Sequence, residues 1–121
     1  MAEHLDFGQQ GEQDAQVFLR RQGYQILKTN WRYKNWEVDI IAKDGNVLAF
    51  IEVKSRSSLQ YGQPFQFVDY KKQKNLIKAA GVFLKTIHYQ GDVRFDIVSV
   101  YKRNGKKDIS LIKDAFWGSY Y

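Results

Sequence analysis

The stretch from Trp36 to Arg56, WEVDIIAKDGNVLAFIEVKSR, limits what this chain can fold into more than any other. Two runs rich in Val, Ile, Ala and Phe flank Asp44-Gly45. That dipeptide favours a two-residue hairpin loop, because a type I′ turn needs positive φ at both central positions. Charges interrupt both arms: Glu37 and Asp39 on the first, Glu52 and Lys54 on the second. Side chains alternate faces along a strand, so Glu37, Asp39 and Ile41 share one face, and Leu48, Phe50, Glu52 and Lys54 likewise share one. With Asp44-Gly45 as the loop, Glu37 lies opposite Glu52, while Asp39 lies opposite Phe50 and diagonal to Glu52, roughly 7–8 Å away. A Gly45-Asn46 turn shifts the register and keeps the same faces together. A three-residue loop sends Asp39 to the far side.

Carboxylates opposed on a half-buried sheet are unfavourable unless something neutralises them. A hard divalent cation, Mg²⁺ or Mn²⁺, resolves the conflict by taking oxygen ligands from one or two carboxylates plus water and phosphate. Asp39 and Glu52 are then candidate ligands, Glu37 a supporting acid, and Lys54 a group that holds or polarises a water or a phosphate oxygen. The plain alternative is a surface ion pair. A carboxylate two residues before a lysine is expected about once by chance at this composition. Asp69-Tyr70-Lys71 is a second instance, on a predicted helix where i and i+2 do not face each other. The apolar run before Glu52 and the matching face of Asp39 raise the site above that alternative.

With 121 residues, 44% of them hydrophobic, the chain is expected to form a single domain spanning 1–121 with one core. It has no cysteine and only two histidines, His4 and His88, which excludes thiolate zinc sites and leaves carboxylates as the candidate metal ligands. The first residues, MAEHLDFGQQGEQ, have neither a basic flank nor an apolar core, and no apolar run approaches the length of a membrane span. A cytoplasmic location without membrane contact is the default expectation. The net charge of +6 favours a polyanionic partner without establishing one.

In chain order, a helix is predicted from Gly8 to Gln22, stopped by Gly23, with Ala15, Phe18 and Leu19 as its apolar stripe. Glu12 lies on that same stripe. It either frays into solvent at the first turn, which the sequence alone favours, or aims at a polar site, a reading that proximity to the acidic hairpin would favour instead. Tyr24 to Arg32 is a predicted strand, and Tyr33-Lys34-Asn35 the turn that follows. Ser57 to Phe65, with Gly62 and the only proline, Pro64, reads as a surface loop leaving the charged end of the hairpin. A second helix is predicted from Val68 to Leu84; Lys71, Lys74 and Lys78 suit its solvated face, whereas Lys72 and Gln73 continue the apolar stripe toward the sheet. Val93 to Tyr101 alternates as a strand, and Asn104-Gly105 turns it into Ile109 to Lys113. The aromatic tail AFWGSYY either caps the core or forms a subunit contact in a homodimer. The whole reads as an α/β fold, one central mixed β-sheet flanked by α-helices, in the order α-β-β-β-α-β-β.

Within that order, Asp39 followed on the next strand by Glu52-x-Lys54 resembles the core of the PD-(D/E)XK, restriction-endonuclease-like nuclease superfamily. More closely, the chain is similar to the YraN-like protein family. The resemblance is carried by Gly11-Glu12 with Ala15, Gly23-Tyr24 with Ile26-Leu27, Asn30 and Arg32. It continues through EVDIIA at 37–42, FIEVKSR at 50–56, Lys72, Ala79-Ala80, Arg94-Phe95-Asp96 and Ala115-Phe116, and so covers nearly the whole chain. In two places the chain departs from the pattern. Trp36 stands where the family usually has glycine, which moves the turn's special backbone angle elsewhere, with Asn35 the expected position. Val38 replaces the superfamily's nominal proline, a residue that only shapes the strand. The resemblance implies a restriction-endonuclease-like domain using Mg²⁺ (or Mn²⁺), with Asp39 and Glu52 as metal ligands. Lys54 would stand by the attacking water and Glu12 would be an outer acidic member of the catalytic set. Arg32, Arg56, Lys72 and Gln73 are the expected nucleic-acid contacts. The expected function is hydrolysis of phosphodiester bonds in DNA by an endonuclease selective for branched, nicked or irregular structures. No helix-turn-helix or zinc-finger pattern suggests a sequence reader. The rival expectation is a non-catalytic nucleic-acid-binding or protein-interaction module on the same fold.

Overall fold

The two arms of the acidic stretch are neighbouring strands in a computed structural model, which describes residues 7–56, 70–103 and 105–116. The elements run α1 (Phe7–Arg21), β1 (Gln25–Tyr33), β2 (Trp36–Asp44), β3 (Val47–Arg56), α2 (Tyr70–Thr86), β4 (Asp92–Arg103) and β5 (Lys106–Phe116). This is the predicted order. The strands form one sheet in sequence order, antiparallel throughout except for β3 beside β4. That pair is parallel because the crossover containing α2 returns the chain to the same end of the sheet.

Helices cover both faces. Ala15 and Leu19 of α1 pack with Ile40, Ala42, Ala49, Ile51, Val53, Val98 and Val100. On the other face Leu76, Ile77, Ala79, Ala80 and Phe83 of α2 meet Val38, Ile41, Leu48, Phe50, Phe95, Ile97 and Phe116. Covered on both sides, β3 is buried without a break from Leu48 to Val53, as a strand with a parallel neighbour should be. Each fully buried Leu, Ile or Phe contributes about 1.5–3 kcal/mol. Rings run through the second core: Trp31 and Phe50 meet Phe83 edge-on at 5.3 and 6.0 Å, and Phe95 stacks on Phe116 at 5.1 Å. Phe116 therefore caps the core, while residues 117–121 of the tail lie outside the described residues.

The helix stop at Gly23 is a Schellman motif. Tyr24 N–H donates to the Leu19 carbonyl and Gly23 N–H to that of Arg20, with Gly23 at φ 94°. Two turns differ from expectation. Asp44 pairs with Val47, so the hairpin loop is Gly45-Asn46, with positive φ at Gly45 alone, 61°, which is the φ pattern of a type II′ turn. Tyr33 pairs with Trp36, and the left-handed residue between them is Lys34 (φ 58°) rather than Asn35. In each case the positive φ falls on the first of the two loop residues. The predicted loop from Ser57 to Phe65 and the predicted helix start at Val68 lie outside the described residues, as does Asn104. Among the described residues no helix is long and apolar enough to cross a membrane.

Candidate active site

The hairpin register decides the site. Pairs between β2 and β3 run from Asp44↔Val47 to Ile40↔Ile51, so the next positions set Asp39 directly against Glu52 rather than diagonal to it. The ladder stops there. In its place the Asp39 carboxylate accepts the Val53 N–H at 2.8 Å, a side chain substituting for a strand partner. Neighbouring features mark the same point. Val38 and Ile41 belong to the core under α2, whereas Ile40 and Ala42 belong to the core under α1, so strict alternation breaks at Asp39. Asn30 of β1, across from Asp39 in register, holds a left-handed φ of 51°. The sheet is irregular on both sides of this carboxylate.

Glu52 follows four buried apolar residues, Leu48 to Ile51, and is itself 3% exposed. Its Oε1 accepts from Lys72 of α2 at 2.6 Å and lies 3.8 Å from Lys54. Lys72 thus points at the sheet, as its place on the helix stripe predicts. Burial pushes the Glu52 carboxyl up to about 7, and the Asp39 charge adds to the rise against the pull of Lys72 and Lys54. Asp39 is raised to about 6, again by burial first, with Glu12 and Glu37 adding to it and the Val53 N–H and Lys72 opposing. Lys54 is lowered by burial and by the neighbouring Lys72. Lys72 loses to burial but gains more from Glu52, and is raised overall. These ionisable groups hold one another in unfavourable states, which is common where a structure is shaped for chemistry.

Two hollows open on this centre and share Glu37, Asp39, Glu52 and Lys72 in their linings. One, about 320 Å³, lies on the α2 side with Asn35, Trp36, Lys71, Asn75 and Leu76. The other, about 670 Å³, opens toward α1 and includes Gln9, Glu12, Arg32, Lys54 and Ser55. Glu12 therefore faces the acidic hairpin. Gly11 explains how α1 comes so close: a Cβ there would lie 1.7 Å from Ser55 Oγ. Arg32 reaches Glu37 at 3.1 Å on the rim. Of the expected nucleic-acid contacts, Arg32 and Lys72 line a hollow, whereas Arg56 and Gln73 line neither.

Among the described residues no group of three or more His, Cys, Asp or Glu side chains is gathered to hold a metal ion. The donor set is narrower: the buried Glu52 and the half-buried Asp39 opposite it, both with raised pKa values, oxygen ligands only, open to two hollows. That suits Mg²⁺ or Mn²⁺, which take few protein oxygens and complete their shells with water and phosphate. Asp39 and Glu52 would hold the ion.

The sequence reading assigned no role to a second polar cluster. Arg94 donates to Asp96 at 2.8 and 2.9 Å, to Asp44 at 2.8 Å and to the Tyr24 hydroxyl at 2.8 Å. Tyr24 in turn donates to Asp96 at 3.0 Å. Asp96, fully buried, also accepts the N–H of Asp114, and Lys113 reaches Asp44 at 3.1 Å. The available signal was an aspartate set within the apolar run of VRFDIVSV, two residues after an arginine and so on the same face. The hollow-lining Asn35, Trp36, Lys71 and Asn75 were also passed over as site residues.

Comparison with known proteins gives a consistent picture. A family model described as Uncharacterised protein family UPF0102 matches residues 11–100. A UPF0102 protein of Flavobacterium psychrophilum is 42% identical over 117 residues, covering 97% of this chain and 98% of its own length. Another from Chloroherpeton thalassium is 44% identical over 125 residues, with 96% and 97% covered. A third, from Caldicellulosiruptor saccharolyticus, is 44% identical over 114 residues, with 92% and 97% covered.

Proposed function

The chain belongs to the UPF0102 family, and on that footing we propose that it is a metal-dependent phosphodiesterase acting on DNA, a structure-selective endonuclease. The observation that carries this reading is Asp39 against Glu52 where the β2–β3 ladder stops, with Lys54 and Lys72 converging on the same carboxylate. Asp39 and Glu52 would hold Mg²⁺ or Mn²⁺. The ion, when bound, supplies an acidified water and offsets charge on the reacting phosphate. Lys54, 25% exposed, borders the larger hollow, and there it would orient that water or a phosphate oxygen. Glu12 and Glu37 add negative potential that draws a cation inward, and Arg32 stands at the rim to meet the nucleic-acid backbone.

Asp39→Ala and Glu52→Ala should each abolish cleavage of nicked plasmid or branched DNA in Mg²⁺ or Mn²⁺. Cutting at the parental rate by both variants would overturn the assignment. A second reading has its own support: Lys72 and Lys54 already neutralise Glu52, as in a purely structural ion-pair cluster within a non-catalytic binding module. In that case millimolar Mg²⁺ leaves the melting temperature unchanged and no substrate is cut.

A further inference from the structure

Lys72 makes the tightest ionic contact at the candidate site, 2.6 Å from Glu52 Oε1, yet its side chain is still 43% exposed. Lys54, on the same strand as Glu52, is farther away at 3.8 Å. One ammonium thus sits on the oxygen that a divalent ion would need, carried by a long side chain from a different element. It also lines both hollows, so solvent and ligand can reach it from either side.

We propose that Lys72 is a displaceable counter-ion, occupying the place of the metal on Glu52 until the ion arrives and then turning outward to meet phosphate. This rests on the metal-dependent reading above and adds an order of events. A buried carboxylate left without a cation is costly, and the Lys72 ammonium meets that need on Glu52. When a divalent ion takes that oxygen, Lys72 and the ion repel each other. The flexible four-carbon stem then allows the ammonium to swing into the hollows without moving the backbone. Metal loading in this way releases a positive group at the mouth, so metal should bind before nucleic acid. Asp39 is held differently, by the Val53 N–H, and needs no such exchange.

Titration calorimetry with Mn²⁺ on the full chain tests the exchange. Lys72→Met removes the competitor and should tighten Mn²⁺ binding by about tenfold or more, the equivalent of one charge-assisted hydrogen bond. Lys71→Met removes the same charge from an exposed neighbour in the smaller hollow and should change affinity by about twofold at most, because solvent screens it. Lys72→Arg keeps the contact to Glu52 and should bind Mn²⁺ no more tightly than the parent, which guards against misreading a loosened fold in Lys72→Met. Equal gains in Lys72→Met and Lys71→Met would overturn the proposal in favour of plain electrostatics. So would a gain in Lys72→Arg, or an unchanged or weaker affinity in Lys72→Met. Asp39→Asn separates the two levels. If it binds Mn²⁺ as the parent does, the metal site itself is wrong and the exchange falls with it. If it loses binding while Lys72→Met gains none, only the exchange fails.

Discussion

Asp44 and Asp39 lie on the same strand, five residues apart, and meet opposite fates. At the hairpin end, Asp44 is flanked by Arg94 and Lys113, and the Arg94 hydrogen bonds hold its carboxyl below the usual range. Arg94 itself is raised, chiefly by its bonds to Asp96. Asp96, though buried, accepts from Arg94, Tyr24 and the Asp114 backbone. At the other end, Asp39 and Glu52 face each other and both are pushed up. Acid content does not distinguish the two regions. Satisfaction does: one cluster is complete within the protein, and the other holds two carboxyls above their ordinary range, a conflict that the proposed cation would relieve. A fold can tolerate one such unresolved cluster if the rest is internally consistent, and that cluster is where function is best sought.

The largest effect should come from breaking the satisfied cluster. Arg94→Met leaves Asp96 buried without its guanidinium and should destabilise the protein by about 3–5 kcal/mol in urea denaturation, with or without Mg²⁺. A loss below about 1 kcal/mol would mean that water readily replaces the arginine there.

Matched substitutions at Asp39 and Asp44 sharpen the contrast. Asp39→Asn keeps an oxygen for the Val53 N–H and removes a disfavoured charge, so the metal-free melting temperature should hold or rise. Any increase caused by Mg²⁺ should vanish. Asp44→Asn should lower the melting temperature, by about 1–2 kcal/mol in stability, because it weakens charge-assisted bonds to Arg94 and Lys113. The same sign in both variants would erase the distinction.

The smallest effect is in pH. Asp39 and Glu52 titrate at about 6 and about 7 in the folded chain, against ordinary values of 3.8 and 4.5. Folding therefore favours their protonated forms. Their contribution to stability is complete below the ordinary values and is lost as pH rises through 6 and 7. Metal-free protein should show a lower urea midpoint at pH 8 than at pH 5.5, and saturating Mg²⁺ should flatten the slope. Asp44, lowered, has the opposite sign, and its contribution disappears only in acid, as pH falls through and below 3.8. A urea midpoint that rises from pH 5.5 to 8 without metal would contradict the account of the carboxylate pair.

Local signals carried most of the fold. Gly23 marked the end of α1, and the apolar periods of Leu76 to Phe83 and of Val93 to Tyr101 located α2 and β4. The register was harder, because Asp44-Gly45 and Gly45-Asn46 are both good loops and keep the same faces together, so the apolar pattern does not choose between them. That one-position choice moved Asp39 from diagonal to Glu52 to directly opposite it. Glu12 could be placed on an inward stripe but not against the hairpin, since helix docking depends on the close approach of Gly11 to Ser55. The Arg94 cluster is least accessible to sequence reasoning. Tyr24 and Asp96 are 72 positions apart, and nothing in local periodicity links them.

The Val53 amide, bonded to the Asp39 side chain, has a consequence for how the sheet breathes. In the adjoining part of β3 a backbone proton exchanges with deuterated solvent only when strands separate, an event shared by many residues. At Val53 the guard is one carboxylate, able to let go by a single side-chain rotation. That proton is thus tied to the comings and goings of Asp39 more than to the integrity of the strand, and the end of β3 carries its own small clock inside an otherwise slow sheet.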